Sequence, residues 1–246
     1  MIVLEKPELE RAVFSEGSPI AVPAELTVYA GGELKILCYS FAEDLCRRFE
    51  ERYGADPLSG EALDCLLSAL RPVMESFGYD ETDTADYPLV DYRPGERFLA
   101  DTAPAVLIDT LDGERWAEDL HLDEFALDPG DPADRMAVVR DGEGKIVCFA
   151  GLNDISEDEG FCEMNAECAE AWRGHGFGPA CTALLASYLT GLGEKTQYVT
   201  SCQNVSSLRC AEKAGLIPFA RVFPAVFRKS GEDDEAFFDA LGRDGD

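Results

Sequence analysis

The stretch that most limits what this chain can fold into is Phe161–Gly191, FCEMNAECAEAWRGHGFGPACTALLASYLTG. Within it a two-residue period gives way, through a glycine-rich turn, to a helical one. Cys162, Met164, Ala166 and Cys168 alternate with Glu163, Asn165 and Glu167, so an extended strand shows one apolar and one polar face. Three glycines follow within five residues, Gly174, Gly176 and Gly178. Then Cys181, Leu184, Leu185 and Tyr188 recur at i, i+3, i+4 and i+7, the stripe of an amphipathic helix. Pro179 suits the first helical turn, and Gly191 or Gly193 suits its end. A strand–glycine turn–helix junction is equipped to hold an anion. The first helical N–H groups lack partners, the dipole is positive there, and glycines let a phosphate approach the backbone.

Two motifs carry a family resemblance. Arg173-Gly174-His175-Gly176-Phe177-Gly178 resembles the Arg/Gln-x-x-Gly-x-Gly/Ala signature of the GNAT acetyltransferases. Downstream, Asn204-Val-Ser-Ser207-Leu208-Arg209-Cys-Ala-Glu212-Lys213-Ala-Gly215-Leu216 resembles that family's Asn-x-x-Ser-Leu-Arg-x-x-Glu-Lys-x-Gly-Phe segment, with Leu216 in place of Phe. The resemblance spans residues 135–229. It implies an α/β (α+β) fold: a mixed, mostly antiparallel sheet flanked by helices, splayed between the two motif strands, with an N-terminal extension or insertion. It implies acetyl-CoA as co-substrate, its pyrophosphate held at Arg173, Gly174, His175, Gly176, Phe177, Gly178, Pro179 and Ala180. The pantetheine would pair with backbone near Glu167, Cys168 and Ala169, and Asn204 and Ser207 would reach the cofactor arm. Direct acetyl transfer to an amine needs a base for the attacking nitrogen. Glu163 stands where the family often carries it, and Glu167 is the second candidate. A backbone N–H on the glutamate strand would polarise the thioester carbonyl. The family's tyrosine acid falls at Ala211, leaving water, Cys210, Tyr198 or Tyr188 to protonate the thiolate.

Composition narrows the function classes. The 246 residues, 46% hydrophobic and 28% charged, are enough for one large domain or two small ones. The formal charge of −28 argues against nucleic acid, which needs phosphate-neutralising Lys and Arg, and against anionic membranes. It suits a cationic acceptor and suits general solubility equally. No apolar run reaches membrane-span length and the N-terminus lacks a signal-like pattern, so a cytoplasmic protein is expected. Nine scattered cysteines without Cys-x-x-Cys spacing, beside two histidines, read as buried free thiols rather than a metal site or disulfide framework.

Along the chain, residues 1–24 read as an irregular or partly paired start. Ala30-Gly31-Gly32-Glu33 reads as a hairpin turn between Leu26–Tyr29 and Leu34–Tyr39. Two helices follow, one ending at Gly54 and one from about Gly60 to Phe77, with Ser59 as N-cap, Gly78 as stop, and Pro72 expected to kink or split it. Tyr79–Tyr87 reads as an acidic loop. Short strands are expected at Leu89–Tyr92, Arg97–Ala100 and Ala105–Asp109, a brief helix around Glu114–Leu120, and a loop at Asp128–Asp134. A hairpin then joins Met136–Arg140 to Lys145–Gly151. After the junction come a strand at Gln197–Cys202, a helix from near Asn204 to Gly215, and strands at Ile217–Val222 and Ala225–Arg228. The organisation expected is residues 1–80 as the first part of the GNAT fold or a separate module, 81–134 as an acidic insertion, 135–229 as the core, and 230–246 as a tail. The tail should carry a short charged helix bearing Phe237, Phe238 and Leu241.

Three functions remain open at this stage. The first is an N-acetyltransferase acting on a small, cationic or neutral amine, with a homodimer open as its assembly. The second is a non-catalytic acyl-CoA-binding or sensing protein, suggested by the missing tyrosine. The third is an acidic interaction protein. A nicotinamide dinucleotide site is disfavoured, because its Gly-x-Gly-x-x-Gly needs glycine where Pro179 stands and its strand should be apolar on both faces.

Overall fold

The computed structural model describes residues 1–4, 18–84, 87–156 and 161–230; the expected tail helix lies outside them. The chain divides into two compact units, Met1–Leu89 with the stretch from Ala220, and Val90–Phe219.

In the first unit, β1 (Ile2–Leu4) pairs in parallel with β4 (Leu34–Cys38), which pairs antiparallel with β3 (Ala24–Tyr29); β2 is the short strand Ile20–Ala21. The Gly-Gly hairpin forms as its sequence suggests, with Gly32 at φ 83° and its N–H donating to the Tyr29 carbonyl. Helix α1 (Glu43–Tyr53) and helix α2 (Gly60–Ser76) close a core in which Leu26, Ile36, Phe49, Leu66, Leu70 and Met74 are buried. Pro72 does not split α2: the helix runs on as one element, since Leu70 and Met74 on either side are anchored in that core. Ser59 is the N-cap, as expected, with extended φ and ψ of −68° and 150°, although its hydroxyl donates to the Asp56 carbonyl at 3.0 Å rather than capping with its side chain. Gly78, at φ 88°, ends the helix, and the Tyr79 N–H returns to the Met74 carbonyl. The stretch read as an acidic loop also differs, for Glu81–Asp83 forms β5. Its sequence shows no alternation because its support comes from far along the chain, as described below.

The second unit begins with β6 (Leu89–Pro94), β7 (Val106–Ile108), β8 (Met136–Arg140), β9 (Ile146–Ser156) and β10 (Phe161–Cys168). Helix α3 (Phe177–Leu192), β11 (Lys195–Ser201) and α4 (Val205–Ala214) follow. The strands lie in the order β6-β11-β10-β9-β8-β7. The pairs β7–β8, β8–β9 and β9–β10 are antiparallel, while β10–β11, joined by α3, is parallel, the arrangement a helical crossover imposes. The protein is thus of the mixed α/β kind expected. Within residues 81–134, expected as an acidic insertion, Leu89–Pro94 and Val106–Ile108 contribute β6 and β7 to this sheet. Helix α3 packs across β8 to β11 and against α4, so Ala180, Cys181, Thr182, Ala183, Leu185, Ala186 and Leu189 are all buried. That is a broader face than the single stripe predicted, because two elements cover it.

Two local expectations fail in this unit. Arg97–Ala100 is not a strand. It caps α4, with the Gly95 N–H donating to the Gly215 carbonyl and the Leu99 N–H to that of Ala214, supplying partners for orphaned helix-end carbonyls. Glu114–Leu120 is not a helix either. Ile146 donates its N–H to the Arg115 carbonyl and accepts the Ala117 N–H, tying the segment to the start of β9, while Trp116, Leu120, Leu122 and Phe125 pack with Met136, Val138 and Phe149.

The chain returns to the first unit through β12 (Leu216–Pro224), whose Ala220–Pro224 part pairs antiparallel with β3, and β13 (Val226–Arg228), which lies between β2 and β5. The break between them falls at Ala225, two residues later than the sequence suggests. Arg228 reaches Asp83 at 2.8 Å, and with the β13 ladder this explains why acidic residues 81–83 form a strand.

Candidate CoA-binding cleft

The site grows from how β10 and β11 part. They are paired only over Phe161–Glu163 and Lys195–Gln197, although β10 runs on to Cys168 and β11 to Ser201. Beyond that vertex lies a cleft of about 470 Å³ between β10, β11, the glycine turn and α4. The strand register decides which backbone groups face it. Ala169 donates its N–H to the Val147 carbonyl on the β9 side, so 169/147 is a hydrogen-bonded pair. Alternation then makes 168/148, 166/150 and 164/152 non-hydrogen-bonded pairs. The amides of Ala166 and Cys168 therefore turn to the open side of β10, and both residues line the cleft. Ala169, predicted to hold the ligand, is buried and its N–H is engaged in the sheet.

At the far end stands the glycine turn. Gly174 and Gly176 have φ of 82° and 84°, a left-handed backbone that side chains resist. Gly176 is the N-cap of α3, and no side chain caps it or places an acid in the first turn. Unsatisfied N–H groups and the positive dipole end therefore meet the cleft, which Arg173, Gly174, Gly176, Phe177, Gly178 and Pro179 line. Gly178 serves packing as well: a Cβ there would stand 3.3 Å from Cys210 Sγ. Arg173 spans turn and strand, its Nε donating to the Cys168 carbonyl at 3.0 Å. His175 and Ala180 do not line the cleft. The His175 ring stacks on Phe177, with its Nδ1 3.1 Å from the Trp172 carbonyl, and Ala180 is buried in the core.

The opposite wall is α4. Asn204 caps it, accepting the Ser207 N–H on Oδ1 at 3.1 Å, and Asn204, Ser206, Ser207, Arg209, Cys210 and Lys213 line the cleft. Its lining therefore carries three cations, Arg173, Arg209 and Lys213, against the single carboxylate Glu167, in a chain of formal charge −28. Tyr198 of β11 is buried, lines the same cleft, and its hydroxyl lies 2.7 Å from Ser207 Oγ. Burial, reinforced by Cys210, pushes its phenol up to about 12. Ala211, where the resemblance would place a tyrosine, is fully buried.

The two glutamates are held differently. Glu163 sits at the vertex, where its Oε2 accepts from Gln197 Nε2 at 3.0 Å, and it is not among the lining residues. Glu167 lines the cleft, accepting the His121 backbone N–H on Oε2 at 3.1 Å and meeting His121 Nδ1 through Oε1 at 3.0 Å. Nothing local in the sequence announces the His121–Glu167 pair, whose members are 46 positions apart. Lys213 was legible only as a motif position.

The fold and site thus define an α/β protein with a splayed mixed sheet and an anion-ready cleft. The chain is similar to solved structures of GNAT acetyltransferases. One from Colwellia psychrerythraea matches at 11% identity over 89% of this chain and 90% of that one, with TM-score 0.45. A GCN5-related N-acetyltransferase from Kribbella flavida matches at 19% identity over 68% and 66%, TM-score 0.46. A GCN5-related N-acetyltransferase-like protein from Streptococcus suis matches at 17% over 64% and 67%, TM-score 0.41. No protein-family model and no curated protein matches the chain.

Proposed function

We propose that the protein is an N-acetyltransferase that moves an acetyl group from acetyl-CoA directly to the amine of a small molecule. The observation that carries this reading is the cleft between β10 and β11, which ends on an uncapped helix N-terminus and concentrates Arg173, Arg209 and Lys213 in a strongly acidic chain. Such a site suits a long ligand with an anionic end and an amide-bearing arm. The pyrophosphate would lie on the turn from Gly174 to Gly178, and the arm's amides would pair with Ala166 and Cys168 on the open edge of β10. That leaves the thioester toward the vertex, near Glu163 and Gln197.

The chemistry asks for three services. The amine must lose a proton, which Glu163, directly or through water, is best placed to take, with the His121-held Glu167 as second candidate. The thioester carbonyl needs an N–H donor from the strand backbone. The departing sulfur needs a proton, and Tyr198 answers the absence of a tyrosine at Ala211: it keeps its proton well above neutral pH and its hydroxyl lies beside Ser207 in the cleft wall. The acceptor is a small amine, for which the acidic surface favours a cation. A sensing protein that binds acyl-CoA without turnover is the second reading, favoured by Ala211 and by Glu163 lying outside the cleft lining. Incubation with acetyl-CoA and a panel of amines, following free thiol release, separates the two. Amine-dependent release is expected, and binding without release would leave the sensor.

A further inference from the structure

The floor of the cleft holds thiols that the proposed reaction does not use. Cys168 of β10 lines the cleft, and directly opposite it on β9 stands Cys148, which is buried. The Ala169 N–H to Val147 carbonyl bond makes 168/148 a non-hydrogen-bonded antiparallel pair. In such a pair the Cα atoms lie about 4.5 Å apart with side chains on the same face, within the range of roughly 4.4–6.8 Å that a disulfide spans. Cys181 of α3 also meets the Cys148 thiol and points its Sγ at the Cys148 carbonyl at 3.8 Å, but it does not line the cleft, while Cys210 contacts Thr182 at 3.6 Å.

We propose that Cys148 and Cys168 form a redox-active dithiol, entered through the cleft and oxidised by a low-molecular-weight disulfide. Cys168 attacks one sulfur of the incoming R–S–S–R. That S–S bond breaks, one RSH leaves with the proton Cys168 has lost, and a mixed disulfide remains. Cys148 then attacks Cys168 Sγ, the mixed disulfide breaks, and a second RSH leaves. The two protein thiols are oxidised by two electrons and the small disulfide is reduced to two thiols. Because the strand register already sets the separation, the bond closes without moving β9 from β10. The hydrogen bond between the two thiols and burial both hold the Cys168 proton tightly. The exchange is therefore slow at neutral pH. The site does not depend on the proposed acetyl transfer.

The test is to incubate the folded protein with oxidised glutathione at mildly alkaline pH and map the products by mass spectrometry. The expected result is a loss of two hydrogens and one cross-linked peptide pair joining Cys148 to Cys168. Cys148→Ala should stop at a single glutathione adduct on Cys168, and Cys168→Ala should take up neither. A cross-link between other cysteines, an adduct confined to Cys202 or Cys210, or a wild-type chain left fully reduced while the urea-unfolded chain oxidises would overturn the proposal. The wild-type map decides the matter even where a variant fails to fold.

Discussion

At the scale of single residues, Tyr198 shows how burial sets both chemistry and stability. Its phenol is pushed up to about 12 from an ordinary value of 10, chiefly by burial. Raised affinity for the proton means that the folded state keeps it after the unfolded state has let it go. The stabilisation is therefore complete below pH 10 and is lost as pH climbs through about 12. A tenfold change in proton affinity is worth about 1.4 kcal/mol, so the full loss is about 2–3 kcal/mol. Urea titrations across this range should show the wild type weakening with pH more steeply than Tyr198→Phe; parallel curves would show that Tyr198 does not carry the effect. The same substitution should slow any acetyl transfer about a hundredfold or more if the hydroxyl is the acid.

At the scale of elements, Gly215 links a motif position to the architecture. It ends α4 at φ 95°, and a Cβ there would stand 2.7 Å from the Arg97 carbonyl oxygen and 2.8 Å from the Leu99 nitrogen. Gly215→Ala adds a collision with the segment that caps α4 to left-handed backbone strain of about 1–2 kcal/mol. It should lower the urea midpoint by an amount worth about 2 kcal/mol or more, whereas a loss of only a few tenths would mean that the 95–99 segment yields freely. The same contact explains what the sequence made legible. The strand–glycine turn–helix junction, the two glycine hairpins and the Asn204–Gly215 helix are written in local patterns, and they form where those patterns lie. The segments that differed are held from a distance. Arg97–Ala100 is fixed by α4, Arg115–Ala117 by Ile146, and Glu81–Asp83 by β13 with Arg228. Of the site, the anion-binding end was legible because glycines announce it, while the bonds of Glu163 to Gln197 and Glu167 to His121 were not. Those partners meet only once the strands and the 110–127 segment are folded.

At the scale of the whole molecule, a formal charge of −28 makes self-repulsion a standing cost of folding. Added salt shortens the screening length from about 30 Å at 0.01 M to less than 10 Å above physiological strength, so the melting temperature should rise with sodium chloride over that range. A melting temperature that falls would show that attractive pairs outweigh the net repulsion. Against this acidic background the cleft is cationic, as a site for acetyl-CoA requires. A calorimetric titration of CoA into the wild type and into Gly176→Glu tests that site most directly. Saturable binding of one CoA per chain is expected, abolished when a carboxylate is placed at the N-cap of α3. No heat in the wild type, or an affinity that survives Gly176→Glu in a folded variant, would contradict acetyl-CoA binding in the cleft.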